Sequence, residues 1–576
     1  MTAPRLVIAL LAASTLAGCA ATRAPPSPPL TVTTEVIEPS TPYGLFLAGR
    51  AAVRRGDAAT AANLFERASS QEGDAPFLRQ QAFEAALASG NITRAAELAP
   101  QGRDAADDSA RQLGVMVRGV EALAEGHGAD AYNLLTSEDI GLPHRAAVAL
   151  LIPWTAAAAG RTTQSLVPPA VGGDAVARYF GLLGRAVLLE RAGRFADAEP
   201  AYRGLVAQVD LDGLATQALG GFLERRGRWR DAVAAYEAAM AATPNEPQFA
   251  FARARAQQHR VRPPMPTPLQ GAAQALVGPA QALMVMRRTD LALDYLRMTL
   301  RLDPDRADAL VLLGDLLNAQ GDASGARAAY DRVAPGSPQY FVARSKLAWS
   351  YFRGGETDRA IAEARTLAAA APVSSGASLT LAELLRTQGH YDEAAAVITR
   401  VIDDPASRRD WRLFYMRAND REEGGRSAEA QADLQQGLVL SPQQPELLNF
   451  LAYTWIERGE RLDEAMAMVQ QAAAANPESG QIQDSLGWGY YRQGQFANAV
   501  EALERATLLE PANAKINDHL GDAYWRVGRH TEAVFQWRRV LSLEPDARTR
   551  AAAEAKIASP RGPDAAPAAA PAASAS

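Results

Sequence analysis

The sequence predicts an all-α chain coiled into a right-handed superhelical solenoid of about 11–14 helix pairs. Three observations carry this: a composition rich in alanine and poor in aromatics, a glycine that recurs every 33 to 36 residues, and a fixed pattern of small and bulky residues around that glycine. Hydrophobic residues make up 48% of the 576 residues and aromatics only 7%. Alanine is a strong helix former and a poor strand former, so this balance suits closely packed helices. A chain of this length exceeds what one compact core accommodates, which points to a modular array. The formal net charge is −6, with acids and bases interspersed. No long basic run exists to track a phosphate backbone, which argues against nucleic acid as a partner.

In chain order, residues 1–18 read as a secretory signal. Arg5 supplies the positive charge, Leu6 to Leu16 the apolar segment, and small residues lead to the cleavage point. The apolar segment is too short to span a bilayer as an ordinary transmembrane helix. Leu16-Ala17-Gly18-Cys19 resembles the bacterial lipobox, and Cys19 is the single cysteine of the chain. That resemblance implies that Cys19 is lipidated and becomes the first mature residue, with no cofactor or metal expected beyond this covalent lipid. Ala20 and Ala21 follow where lipoproteins retained in the inner membrane commonly carry aspartate. The family pattern therefore implies lipid anchorage in the outer membrane, facing the periplasm. Residues 19–42 contain Pro25, Pro26, Pro28, Pro29, Pro39 and Pro42, and such a segment reads as a semi-extended tether.

Residues 43–259 are expected to form an N-terminal block of repeats, with helical segments ending at Gly56, Gly90, Gly126, Gly160, Gly193 and Gly227. Four prolines interrupt the array at 260–268, which reads as a joint. A C-terminal block at 269–557 resumes the series at Gly321, Gly355, Gly389, Gly425, Gly459, Gly494 and Gly528. The unit ending at Pro304 lacks a turn glycine, yet Ala292 and Leu296 keep its phase. Five residues after the glycine there is usually alanine, as at Ala61, Ala198, Ala326 and Ala533, which lets the two helices of a pair approach closely. A bulky residue commonly follows four later, as in Phe65, Tyr202, Tyr236, Tyr330 and Trp537, and a small residue stands seven before the glycine. Proline often closes the unit, as at Pro442, Pro477, Pro511 and Pro545, because it starts a helix but disrupts an interior. The second helices after Gly90 and Gly160 are expected to be short. Residues 558–576 are rich in Ala, Pro and Ser and are expected to be disordered.

This helix–turn–helix pattern, in phase at thirteen glycines, resembles the tetratricopeptide repeat over nearly the whole chain after the tether. Each repeat buries its apolar face only against its neighbours, so the array grows a long concave wall. In the family's geometry the first helix of each pair lines that wall. Counting from the small residue of each unit selects Asn449 and Tyr453, then Asp484, Trp488, Tyr491 and Arg492, then Asp518, Asp522, Trp525 and Arg526. Asp484 and Asp518 lie 34 apart, as do Tyr491 and Trp525, and Arg492 and Arg526. Such rows of acids, arginines and aromatics suit an extended peptide. The competing reading is that the aromatics pack between helices while the two arginines pair the aspartates.

Catalysis is not expected. The chain has no HExxH helix, no P-loop and no G-x-S-x-G elbow. Its six histidines are scattered, and His519 reads as a polar groove or turn residue. The stretch 482–537, with Asp484-Ser485-Leu486-Gly487-Trp488 and Asp518-His519-Leu520-Gly521-Asp522, goes beyond the generic repeat. Together with Asp290-Leu291-Ala292-Leu293-Asp294-Tyr295-Leu296, it resembles large proteobacterial periplasmic repeat lipoproteins, among them the lipoprotein partner of a carboxyl-terminal processing protease. The resemblance implies a non-catalytic adaptor that binds that protease and presents peptidoglycan hydrolases for degradation; the array is long enough for two partners, and the expectation is one binding surface on each block. The alternative is a scaffold for outer-membrane polysaccharide export or for the assembly of another envelope complex. Against it stands the absence of any alternating strand pattern of barrel type.

Overall fold

The computed structural model describes residues 40–558, apart from 73–74, 102–107, 209–212, 244–246, 260, 371–375 and 406. The lipobox, most of the tether and the tail from 559 lie outside the described residues. Thirty α-helices and no strand occupy the described residues. Six pairs come first: α1 (Pro42–Arg54) and α2 (Ala58–Gln71), α3 (Pro76–Ser89) and α4 (Ile92–Leu98), α5 (Asp108–Ala124) and α6 (Gly128–Thr136), α7 (Arg145–Ala158) and α8 (Thr162–Ser165), α9 (Ala175–Arg191) and α10 (Phe195–Gln208), α11 (Leu214–Arg225) and α12 (Trp229–Ala242). Then α13 (Pro247–Gln258) stands without a second helix.

Eight pairs follow: α14 (Pro268–Val285) and α15 (Thr289–Leu302), α16 (Ala307–Ala319) and α17 (Ala323–Asp331), α18 (Tyr340–Arg353) and α19 (Thr357–Ala370), α20 (Gly376–Thr387) and α21 (Tyr391–Asp403), α22 (Trp411–Glu423) and α23 (Ser427–Leu440), α24 (Pro445–Arg458) and α25 (Leu462–Ala475), α26 (Gly480–Arg492) and α27 (Phe496–Leu509), α28 (Ala514–Arg526) and α29 (His530–Ser542). A last helix, α30 (Ala547–Ala558), closes the array. The fourteen pairs sit at the upper end of the expected range. Pro42, which the sequence places in the tether, is instead the first residue of α1, where its missing N–H is no loss and Thr41 caps the helix. The second helices after Gly90 and Gly160 have only seven and four residues.

The repeat chemistry is local. All thirteen periodic glycines hold a positive φ, between 68° and 89°, because the turn between paired helices needs a left-handed residue and glycine has no Cβ to oppose it. Where the glycine is missing, Arg287 takes the same place, 34 residues before Gly321, at φ 58°. Arg287→Gly is therefore expected to raise stability by about 0.5–1 kcal/mol, read as a shift in the urea midpoint. A decrease would show that the arginine side chain outweighs its backbone strain. An extra residue in the α24–α25 turn puts both Gly459 and Arg461 in the left-handed region and moves the following alanine to 465.

Within a pair, the bulky residue of the second helix lies on the small residue of the first. Phe65 covers Gly49, Tyr236 Gly220, Tyr330 Gly314 and Trp537 Gly521; a Cβ on any of these glycines would fall 2.3–2.6 Å from the ring. Between pairs, the punctuating proline also ties neighbours together. The Pro477 carbonyl accepts from Gln483 Nε2 at 3.3 Å and Arg505 at 3.2 Å. One repeat later the Pro511 carbonyl accepts from Asn517 Nδ2 at 3.3 Å and from Arg539.

First helices pack on the next first helices, α5 on α7, α7 on α9, α24 on α26 and α26 on α28, while second helices make no comparable contact with one another. The array therefore curves with its first helices inside. The stretch 261–267 is not helical, yet it does not hinge two separate blocks. After it the chain turns back, and α14 packs on α7 and α9 while α15 packs on α3, α4 and α5. Arg301 of α15 binds Glu121 of α5 at 2.8 Å, and Tyr295 meets His144 at 2.9 Å. Arg297 Nε donates to the Ala88 carbonyl at 3.0 Å. The result is one continuous core from Phe83 to Leu347. Beyond it the cores are separate and smaller, from Ala348 to Phe414, Ala418 to Val469 and Ala499 to Ala553. The N-terminal groove is thus filled by the chain's own helices, whereas among the described residues no further helix packs into the C-terminal wall.

Candidate functional site

Among the described residues, α22, α24, α26 and α28 pack appreciably only on helices that neighbour them in the array. Their inner faces carry the wall residues picked from the sequence, and the structure divides these into two groups.

The first group is engaged in holding repeats together. Asp484 Oδ1 lies 2.9 Å from His519 Nδ1, and both residues are buried. Burial works against the His519 imidazolium, but the Asp484 carboxylate outweighs it and the net shift is upward. Asp518 and Asp522 both bind Lys556 of the closing helix at 2.8 Å. Asp522 also accepts from Trp537 Nε1 at 3.1 Å. Trp525 lies against Trp537 and His530, with ring centroids 5.6 and 4.2 Å away. The aspartates are therefore tied to partners one repeat further on, and these partners are a histidine and a lysine rather than the two arginines. Repeat-equivalent acids do form a row, but the row is internal bracing.

The second group faces the groove. Trp488 is the middle of a three-ring stack, 4.2 Å and 9° from His519 on one side and 4.7 Å and 8° from Tyr491 on the other. Its Nε1 is buried and has no hydrogen-bond partner. The Asn449 side-chain oxygen is likewise without a partner. Tyr453 donates to Glu457 at 2.6 Å and lies 4.1 Å beneath Lys515 Nζ. Arg492 donates to the Glu457 carbonyl at 2.9 Å. Arg526 lies over the Phe496 ring at 4.3 Å. This wall offers the edges of an aromatic stack and two cationic side chains, a set that matches the side chains of a polypeptide. Sequence reasoning missed Lys515, Glu457 and the burial of His519. The 35-residue separation of His519 from Asp484 was the one available signal.

Beneath this wall lies Asp420 on α22. It is 1% exposed, and its Oδ1 has no hydrogen-bond partner, with Arg386 3.8 Å away. Burial pushes its carboxyl up to about 7, against the partial relief from Arg386. A group with a raised folded-state pKa holds a proton that the unfolded chain releases, so its contribution is fully present below about pH 4 and is lost as pH rises to 7. Asp420→Asn is expected to raise stability by about 2 kcal/mol at pH 8 and to change it little at pH 4. Thermal unfolding of both proteins at the two pH values decides this, and equal shifts at both would refute it.

Among the described residues no group of three or more His, Cys, Asp or Glu is placed to hold a metal ion, and no helix is long and apolar enough to cross a membrane. A family model described as "Tetratricopeptide repeat" matches residues 183–247, 280–341, 345–408, 415–480 and 485–547. Together these exceed half of the chain. No curated protein matches the chain. Solved structures that resemble it include the Cut9–Hcn1 hetero-tetramer of the APC/C, 16% identical over 89% of this chain and 96% of that one, with a TM-score of 0.36. A tetratricopeptide repeat protein from Parabacteroides merdae is 14% identical over 42% of this chain and 94% of its own, also at 0.36. MamA from Desulfovibrio magneticus is 20% identical over 29% of this chain and 93% of its own, at 0.25.

Proposed function

Because the chain belongs to the tetratricopeptide repeat family, whose solenoids are scaffolds for protein–protein interaction, we propose that it is a lipid-anchored adaptor. In this reading Cys19 carries the lipid, and the outer membrane holds the array facing the periplasm. The open wall binds a carboxyl-terminal processing protease, and the assembly presents peptidoglycan hydrolases to it. The observation that carries the adaptor reading is the uncovered wall from α22 to α28, with the Trp488–Tyr491 surface and the flanking Arg492 and Arg526. The choice of protease rests on the resemblance of residues 482–537 to periplasmic repeat lipoproteins. The filled N-terminal groove favours the C-terminal wall over the symmetrical division of one block per partner.

The test is affinity purification of the lipidated protein from its own cells after mild crosslinking, with co-purifying proteins identified by mass spectrometry. Recovery of a carboxyl-terminal processing protease with peptidoglycan hydrolases, and its loss in a Trp488→Ala/Tyr491→Ala variant, supports the adaptor. Recovery of polysaccharide-export or other envelope-assembly components without that protease replaces it with the scaffold alternative.

A further inference from the structure

The array closes differently at its two ends. At the C-terminal end α30 packs on α29, and its Lys556 holds Asp518 and Asp522. At the N-terminal end α1 packs appreciably only on α2. Later first helices also pack on the second helix before them, as α3 does on α2 and α28 on α27.

The side chains of α1 divide accordingly. Leu45, Gly49 and Ala52 are buried and form the face toward α2. Tyr43, Leu47, Arg50 and Arg54 recur at spacings of four, three and four residues, which places them together on the opposite face, and all four are exposed. Tyr43 is 71% and Leu47 48% exposed. Elsewhere in the array this register is an interior one. His519 also stands nine residues before its turn glycine, and it is buried against Asp484 of the preceding first helix. Where a preceding repeat would lie, α1 therefore presents a tyrosine, a leucine and two arginines.

The charge of this end runs against that of the chain. From Pro42 to Gln71 the four bases Arg50, Arg54, Arg55 and Arg67 outnumber the two acids Asp57 and Glu66, a local charge of +2 in a chain of −6. Both acids are engaged: Asp57 caps α2, accepting from Thr60 N at 3.0 Å, and Glu66 binds Arg94 of the next repeat. Among the described residues no ion pair or side-chain hydrogen bond engages Arg50, Arg54 or Arg55. Arginines beside other turn glycines are paired, as Arg194 is with Asp197, Arg228 with Glu199 and Arg529 with Glu504.

The anchor decides what such a face meets. Cys19 lies 22 residues before Thr41, a span of about 75 Å at full extension. A lipid on Cys19 keeps this end of the array beside a bilayer whatever path the intervening chain takes, and phospholipid phosphates complement its arginines. A second copy would instead oppose arginine to arginine.

We infer that the free face of α1 lies on the membrane surface, with Tyr43 and Leu47 at the level of the first acyl carbons and Arg50, Arg54 and Arg55 on anionic phospholipid headgroups. The array then stands with its N-terminal end on the bilayer and the α22–α28 wall at its far end. This rests on the lipid-anchor part of the proposed function and is independent of which protein the wall binds.

The test uses the chain from residue 19 with Cys19→Ser, which carries no lipid. Cys19 is the only cysteine, so Leu47→Cys then offers a single site for the environment-sensitive fluorophore NBD, with Phe535→Cys on α29, 64% exposed, as the control. On vesicles of phosphatidylethanolamine and phosphatidylglycerol at roughly 3:1, the label at 47 is expected to shift to shorter wavelength and to be quenched by doxyl-labelled lipid, while the label at 535 does neither. Arg50→Glu/Arg54→Glu should weaken vesicle binding by about tenfold or more, as should replacing both lipids with phosphatidylcholine. A label at 47 that stays in water, an equal shift at 535, or binding indifferent to the two arginines each overturns the proposal. So does a label at 47 already shielded without vesicles: loss of the shielding on deleting 30–38 gives the face to the chain's own preceding segment, and dependence on protein concentration gives it to a second copy. The two labelled proteins decide the matter by themselves should the double arginine variant fail to fold. Failure here leaves the partner recovery described above untouched, and failure of that recovery leaves the vesicle result standing.

Discussion

Replacing Gly278 with leucine is expected to unseat α14 from the N-terminal groove and to lower stability by about 3 kcal/mol or more. A Cβ at this position would stand 2.1 Å from the Phe180 ring, and a whole isobutyl group has nowhere to go between two packed helices. Phe180 is 5% exposed and lies within the single core that runs from Phe83 to Leu347. It yields only by displacing the helices around it. The consequence reaches beyond one contact, because α14 and α15 form one tightly packed pair and α15 anchors to α5 through Arg301 and Glu121. Two measurements check this. The urea midpoint should fall, and hydrogen exchange should accelerate in α7, α9, α14 and α15 while α22–α29 keep their protection. Uniform acceleration across the chain would mean that the two halves unfold as one unit, and a midpoint unchanged from wild type would mean that α14 docks loosely.

Lys556→Met is the second large effect, expected to cost about 3–5 kcal/mol by removing the lysine that bridges two largely buried carboxylates. Lys556 Nζ sits 2.8 Å from both Asp518 and Asp522, with its side chain 7% exposed. Without it the two carboxylates stand one helical turn apart on α28, opposed by the Trp537 indole on Asp522 and by the neighbouring His519 imidazole. Burial already pushes Asp522 up to about 6 with Lys556 in place. Because an acid with a raised folded-state pKa is relieved by protonation, the loss should be largest at pH 8 and shrink as pH falls toward 5. Thermal unfolding at both values, with hydrogen exchange of α28 and α29, reads the result. A loss below about 1 kcal/mol, or one equal at the two pH values, would show that α30 closes the array by apolar contact rather than by charge.

The two variants also separate the roles of the chain's halves. Gly278→Leu should leave binding to the α22–α28 wall intact, since that wall has its own cores. Lys556→Met should disturb it, since Asp518, Asp522 and the Trp525–Trp537 contact share one end of α28 and α29.

What the sequence by itself determined is the repeat: the helix pairs, their turns and the packing inside each pair. These depend on residues within one period. A left-handed turn calls for Gly321 or Gly528, a close helix approach calls for Ala326 or Ala533, and Trp537 needs the gap that Gly521 leaves. Even the faulty unit kept its phase, with Arg287 strained into the glycine's conformation. The candidate wall was half legible, because counting along a helix shows which side chains point inward but not what they meet. Asp484 finds His519 and Asp522 finds Lys556 only after the superhelix has set the spacing between successive first helices. The filling of the N-terminal groove belongs wholly to the tertiary structure. An 18-residue helix without a charge, polar only at Gln270, Gln274 and Gln281, signals burial over most of its circumference. That Trp154 and Phe180, more than 85 residues earlier, are what bury it follows from the curvature of the array, which sums small rotations over many repeats and is encoded in no single one.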